Sequence, residues 1–324
     1  MFSELAVAYL FFGGAGAGAC VVLGVLECAN IGRYGALPSG SGAGMMRARS
    51  SRWARRLRVP HELLARGWVL CLLLLGTGSL CLLADAGRSE RVVALWLAPR
   101  FSVVTVGAWA LLASSVVAAF FAVASNGWGA RLRPAPVLAA AIAAIAAGLV
   151  TAAYTGVLLG SLPSVLAYRT GVLPALFLLS SLSCGAAVVF AVSSLVDSRL
   201  PFGSALRRLG RADRAIILVE AALLVLFVGG QLADEGTKAG AAALIFGDGA
   251  VLFWVVLVLV GLGAPFVLEW RYPAGDRRVK GLWIAFCILL GAAALRVSVT
   301  GLAAFDISQT PELAFQLAAA TASG

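Results

Sequence analysis

The sequence predicts an all-α integral membrane protein with eight transmembrane helices and both termini outside. Three observations predict it. Of 324 residues, 61% are hydrophobic and 12% charged, with a mean hydropathy of +0.97, which excludes a water-soluble domain with a polar surface. A hydrocarbon core about 30 Å thick takes about 20 apolar residues per helix, and eight runs of that length fill most of the chain, leaving one membrane domain over 1–324. Lys and Arg alternate between the two sides of those runs in a ratio of 19 to 5, so the richer side is cytoplasmic. The net charge of +10 therefore records loop orientation, and no nucleic-acid partner is expected.

The first span, Leu5–Ile31, is preceded by no Lys or Arg, so it is expected to be a retained helix and not a secretory signal. Its Gly13-Gly-Ala-Gly-Ala-Gly18 string would suggest dinucleotide binding after a soluble strand. Inside a membrane span, Gly14-x-x-x-Gly18 predicts close helix packing instead. Tyr9 falls near its outer end and Glu27 near its cytoplasmic end. Segment 32–66 is the one long loop, Gly/Ser-rich and then Arg-rich, expected to lie against anionic headgroups of the membrane lipids; it carries His61, the sole histidine.

The second span, Gly67–Ala84, runs outward and ends at Asp85 and Arg88; the third is Phe101–Ser125. The fourth, Val137–Gly160, carries Tyr154 in its last third and the packing pair Gly156-x-x-x-Gly160. The fifth is Val172–Val196. The sixth, Ala215–Leu232, has Glu220 toward the cytoplasm and Gln231 near its outer end. The seventh is Gly249–Glu269, and the eighth, Gly281–Ala303, places Arg296 in its outer half. Asp197 and Glu269 read as ordinary span ends, and Glu27 and Glu220 as residues reaching the interface, with a proton route as the weaker reading.

The reactive side chains exclude several chemistries. One histidine cannot supply the axial ligands of an intrinsic two-haem cytochrome, and the six cysteines have neither C-x-x-C nor cluster-ligand spacing, so no haem, iron–sulfur cluster or other metal site is expected in this chain. A charge in hydrocarbon costs several kcal/mol unless paired or hydrated. Tyr9, Asp85, Arg88, Tyr154, Gln231 and Arg296 come from different spans yet fall at one depth, which predicts a polar pocket near the outer surface.

Four strings in order together resemble the polysulfide-reductase membrane subunit family, also called the NrfD family. They are Tyr9-Leu-Phe-Phe-Gly-Gly-Ala-Gly-Ala-Gly18; Leu82-Leu-Ala-Asp-Ala-Gly-Arg-Ser-Glu-Arg91 followed by Pro99-Arg-Phe-Ser102 and Gly107-Ala-Trp109; Tyr154-Thr-Gly-Val157 with Pro163, Leu173-Pro-Ala-Leu-Phe177 and Ser180-Ser-Leu-Ser-Cys-Gly185; and Gly291 to Arg296. Ser89 and Ala86 depart from the family's usual Pro and Leu, and Ala8 and Tyr9 stand where some members place His or Asn. The resemblance implies two packed four-helix bundles in a bacterial or archaeal cytoplasmic membrane. It also implies a quinol pocket near the outer face, with Tyr154 at the quinone and Asp85 and Arg88 handling its protons; Tyr9, Gln231 and Arg296, at the same depth, are expected to bind the quinone with Tyr154. The implied complex is a respiratory oxidoreductase, with this chain as membrane anchor: menaquinol or menaquinone is the bound substrate, a peripheral ferredoxin-like four-cluster iron–sulfur subunit exchanges electrons with it, by quinol oxidation or by quinone reduction, and a molybdopterin catalytic subunit lies beyond it. A transporter or channel using the same polar cluster for a solute is the alternative.

Overall fold

The computed structural model describes residues 3–31, 59–85, 103–125, 134–162, 165–196, 203–247, 249–271 and 278–302. Among them are the eight long apolar helices expected. They are α1 (Glu4–Asn30), α2 (His61–Asp85), α3 (Val103–Val123), α4 (Pro134–Gly160), α5 (Val172–Leu195), α6 (Gly203–Ala233), then the short α7 (Lys238–Phe246), and α8 and α9. Helix α8 winds with wider i→i+5 bonding over Leu252–Gly263 before continuing as α-helix over Ala264–Arg271; α9 is Arg278–Gly301. A 3₁₀ turn, Leu166–Tyr168, links α4 to α5.

The helices sort into two groups of four spans. Helices α1, α2, α3 and α4 pack together, as do α5, α6, α8 and α9, and α1 and α5 meet along the seam. Without a hydrophobic drive between helices in lipid, such packing rests on close contact of small residues. The glycine run of α1 meets that need on two sides. A Cβ on Gly16 would stand 2.8 Å from Leu75 Cγ, and one on Gly78 of α2 would stand 2.8 Å from Gly13 N. Across the seam, a Cβ on Gly18 would overlap the Ser181 carbonyl and one on Gly185 would overlap the Gly18 carbonyl, so backbone lies on backbone. Gly156 does the same service for α5, where its Cβ would lie 2.5 Å from Pro174 Cα. Gly18→Val is expected to force α1 from α5 and cost more than about 3 kcal/mol, because no flexible side chain is there to yield. Thermal unfolding of the detergent-solubilised chain checks this, and an unchanged midpoint would contradict the seam.

Three boundaries differ from expectation. Helix α2 starts at His61, so His61 through Arg66 belong to a helix and not to the long loop; the rest of that loop, 32–58, lies outside the described residues. Helix α6 begins at Gly203, twelve residues before the apolar run. Its first turns are amphipathic, with Ala205, Leu206, Gly210 and Asp213 buried and Arg207 and Arg211 exposed, and such a stretch has the average hydropathy of a loop. The third difference is α7, which fills the connection after α6.

Successive helices run in opposite directions, and paired contacts fix their levels. Ser3 meets Asp85, Tyr9 meets Tyr154, and Leu10 meets Arg296 at one end. Glu27 meets Trp68 and Asp213 faces Glu269 at the other. The first is called below the tyrosine end and the second, where Arg207, Arg208 and Arg211 open α6, the arginine end.

Candidate functional site

Tyr9 is the sixth residue of α1 and Tyr154 the seventh from the end of α4, so antiparallel packing brings them level. Both are buried, and their hydroxyls interact. The Tyr154 ring lies on Gly107, the fifth residue of α3, where any Cβ would occupy the ring's own space. Gly107 thus makes the seat for Tyr154, a role the motif alone does not disclose.

Arg296 is completely buried in α9, on the opposite side of α1. Its Nε donates to the Leu10 carbonyl at 2.8 Å, Nη1 to Ala292 O at 2.8 Å and to Ser180 Oγ at 3.4 Å, and Nη2 to Ser181 Oγ at 3.2 Å. The Phe11 and Phe177 rings stand 5.9 and 5.4 Å from the guanidinium carbon, within cation–π range. The buried charge is therefore carried by carbonyls, hydroxyls and ring faces. Gly14 leaves room for it, since a Cβ there would stand 2.5 Å from Nη2. Arg296 holds the backbone of α1 one residue beyond Tyr9, so it braces the tyrosine from behind.

Asp85 closes α2 and is exposed. Its Oδ1 accepts the hydroxyl of Ser3, whose own oxygen caps α1 by accepting from Ala6 N at 3.0 Å. The carboxylate is thereby tied to the start of the helix that carries Tyr9, about 9 Å along the axis from it at 1.5 Å per residue. Arg88, Arg91 and Asp197 lie outside the described residues. Gln231 is buried, but its side chain serves another purpose. Nε2 donates to Ala167 O at 2.9 Å, tying the end of α6 to the 3₁₀ turn, and among the described residues no hydrogen bond joins it to Tyr154.

Beside Gln231's partner, the Tyr168 hydroxyl lies within reach of the Val299 and Thr300 carbonyls at 3.2 and 3.3 Å. Burial raises its pKa above the usual phenol value, so the hydroxyl keeps its proton and donates.

The three carboxylates expected at interfaces are buried. Glu27 is 0% exposed and accepts from Trp68 Nε1 at 3.1 Å, with the Trp68 indole stacked on Phe121 at 4.6 Å. Glu220 is 5% exposed and shares Ser180 with Arg296, so one hydroxyl stands between acid and base. Glu269 is 3% exposed and faces Asp213, itself 0% exposed. The apolar runs place each residue near the end of a span; Glu27 and Glu269 are near helix ends and Glu220 is in the middle of the longer α6, and packing against a neighbouring helix, not depth, decides the exposure of all three. Asp213 escapes a reading by apolar runs, because it lies before the sixth one. A periodic signal could have found it: Asp213, Ile217, Glu220, Leu224, Phe227 and Gln231 recur at alternating steps of four and three and are all buried.

Among the described residues no group of three or more His, Cys, Asp or Glu is placed to hold a metal ion. Three cavities of 280–310 Å³ among the same residues lie away from Tyr154: one at the start of α6 beside Glu269, one between α1, α5 and α6, and one between α2 and α5.

The family model "Polysulphide reductase, NrfD" matches residues 1–302. The C subunit of polysulfide reductase from Wolinella succinogenes is 36% identical over 148 residues, 44% of this chain and 47% of that protein. Protein NrfD of Escherichia coli is 35% identical over 120 residues, 36% of this chain and 37% of that protein. The chain thus matches about half or less of the length of these curated relatives. With the family match running from the first span to the end of the last, and eight apolar helices to carry it, this multi-pass membrane chain belongs to the polysulphide reductase NrfD family.

Proposed function

We propose that the chain is the quinol-handling membrane anchor of a respiratory oxidoreductase complex and that menaquinol is oxidised at the tyrosine end. The observation that carries the reading is the meeting of the Tyr9 and Tyr154 hydroxyls between apolar helices, with Tyr154 seated on Gly107. A ring with two hydroxyl groups needs a hydrogen-bond partner in apolar surroundings, and a phenol supplies one without a charge to desolvate. By the distribution of Lys and Arg, this end faces outside.

Oxidation of one quinol releases two protons and two electrons. Tyr154 holds a ring oxygen, and Tyr9 fixes the Tyr154 hydroxyl. Asp85, exposed and held by Ser3, receives protons on their way to solvent. The electrons pass to a peripheral ferredoxin-like subunit with four iron–sulfur clusters and from there to a molybdopterin catalytic subunit. Arg296 and Gln231 act on the site indirectly, the first by bracing α1 and the second by closing the α4–α5 connection.

Tyr154→Phe tests the proposal. Loss of one hydrogen bond of about 1.4 kcal/mol predicts about tenfold slower quinol oxidation by the purified complex, with unchanged assembly. Wild-type quinol kinetics in that variant would remove Tyr154 from the site.

A further inference from the structure

Asp213 and Glu269 present a problem that packing alone does not solve. Their carboxyl groups face each other from α6 and α8, both are buried, and no oxygen of either group meets a partner at ordinary hydrogen-bond distance and angle, with the Ser183 hydroxyl of α5 the donor beside Asp213. Four acceptor oxygens meet, and one neighbouring hydroxyl cannot satisfy them. Two ionised carboxylates in such a place would repel each other and lack solvation, an arrangement costing far more than a folded chain can offset. One proton removes the difficulty. A protonated carboxyl donates to the facing carboxylate, and the pair then carries a single negative charge.

The surroundings fit that charge. Arg214, half-buried on α6, is the cation that acts on Glu269, and its Nε has no acceptor. From α5, Ser183 lies beside Asp213, and Cys184 is a weak neutral neighbour. Farther along α6 stands Glu220, seven residues on and about 10 Å away along the axis, with Arg296 of α9 beyond it. One proton on the pair and the charge of Arg214 leave the site neutral.

The pair also has access. Glu269 lines a cavity of about 310 Å³ whose other walls are Ser204, Gly210 and the arginines of the first turns of α6. A proton can reach the carboxyls from the arginine end by that route while the rest of the pair stays buried.

We propose that Asp213 and Glu269 form a proton-binding site that holds one exchangeable proton between two carboxyl groups and opens to the arginine end of the membrane through the cavity beside Ser204. Glu220 is the next protonatable group inward, and Ser180 links it to Arg296, so the site is the arginine-side terminus of a buried polar file. The assignment does not rest on the quinol reading, because it concerns neither the tyrosine end nor any partner.

Infrared spectroscopy of the purified full chain near neutral pH, without quinone or partner subunits, tests it. The wild type is expected to show a protonated-carboxyl C=O stretch that shifts in D₂O. That component is expected to be lost in both D213N and E269Q, since each amide supplies the missing donor and lets the remaining carboxyl ionise. The same donor keeps both variants folded, with thermal midpoints at or above that of the wild type. E220Q is expected to leave the component in place. S204W, which fills the cavity mouth, is expected to slow its D₂O shift severalfold. Retention of the component in both D213N and E269Q would overturn the shared proton, and its loss on adding Na⁺ at constant pH would overturn it in favour of a metal cation. An unchanged exchange rate in S204W would overturn the route through the cavity.

Discussion

Gly107→Val is expected to lower quinol turnover by about a hundredfold, more than Tyr154→Phe, with the chain still inserted in the membrane. A side chain at 107 takes the space of the Tyr154 ring, so the whole phenol moves and not only its hydroxyl. A displacement of about 1 Å at a positioning group is enough for a loss of that size. The partner helices decide how the strain resolves. Helix α3 packs on α4 beyond this contact, with Ser114 and Thr151 hydroxyls 3.1 Å apart, so the helices stay together and the ring yields. A double-mutant cycle separates packing from chemistry. Gly107→Ala is expected to cost about 1–3 kcal/mol of stability in the wild type and much less with Tyr154→Leu, where the ring is gone. Turnover is expected to stay low in the double variant. Unaltered turnover in Gly107→Val would show that the phenol's position does not matter to the reaction.

Arg296→Met is expected to destabilise the folded chain by about 3–5 kcal/mol, the range for removing one side of a buried charged network. The substitution strips the Leu10 and Ala292 carbonyls and the Ser180 and Ser181 hydroxyls of a donor and leaves Glu220 without its cation. Lysine is a poor replacement. A single ammonium cannot reach Leu10 on α1 and both serines of α5 at once, whereas the planar guanidinium spans them. Arg296→Lys is therefore expected to recover only part of the loss. Adding Glu220→Gln to Arg296→Met is expected to recover more, because the stranded acid is then neutral. Size-exclusion profiles and thermal midpoints of the detergent-solubilised chains measure both effects, and an Arg296→Met chain as stable as the wild type would rule out the network.

These two residues also show how differently a chain discloses its features. Arg296 is conspicuous in the sequence as a charge in an apolar run, and the need for partners follows from the cost of burying it. Which partners it has cannot be read there: Leu10 is 286 residues away, and Ser180 and Ser181 are hydroxyls in a helix that is apolar by composition. Gly107 is conspicuous only as part of a string. Its meaning depends on a ring from another helix, and glycine carries no side chain whose chemistry could announce it.

Carboxylates divide in the same way. Asp85, expected at a helix end, is at one and exposed. Glu27 and Glu269 are also close to helix ends and Glu220 is near the end of its apolar run, yet all three are buried, because hydropathy measures depth along the membrane normal and not which face of a helix is turned inward. For α6 that face is legible in the spacing of Asp213, Glu220 and Gln231, but the partner of Asp213 is not, since Glu269 lies on a helix two connections later.

Membrane residence, eight spans, the scarcity of haem ligands and the glycine-mediated packing of the first helix were all decided by local composition and spacing. Each depends on the solvation of one segment or on residues a turn apart, and segment by segment the chain states these itself. The pairing of α1 with α5 along Gly18 and Gly185, the seat of Tyr154, the carbonyl cradle of Arg296 and the facing carboxyls of Asp213 and Glu269 were decided by the tertiary structure. In a bilayer every span is apolar and nearly interchangeable by composition, so which helix meets which is set by the fit of surfaces from distant parts of the chain.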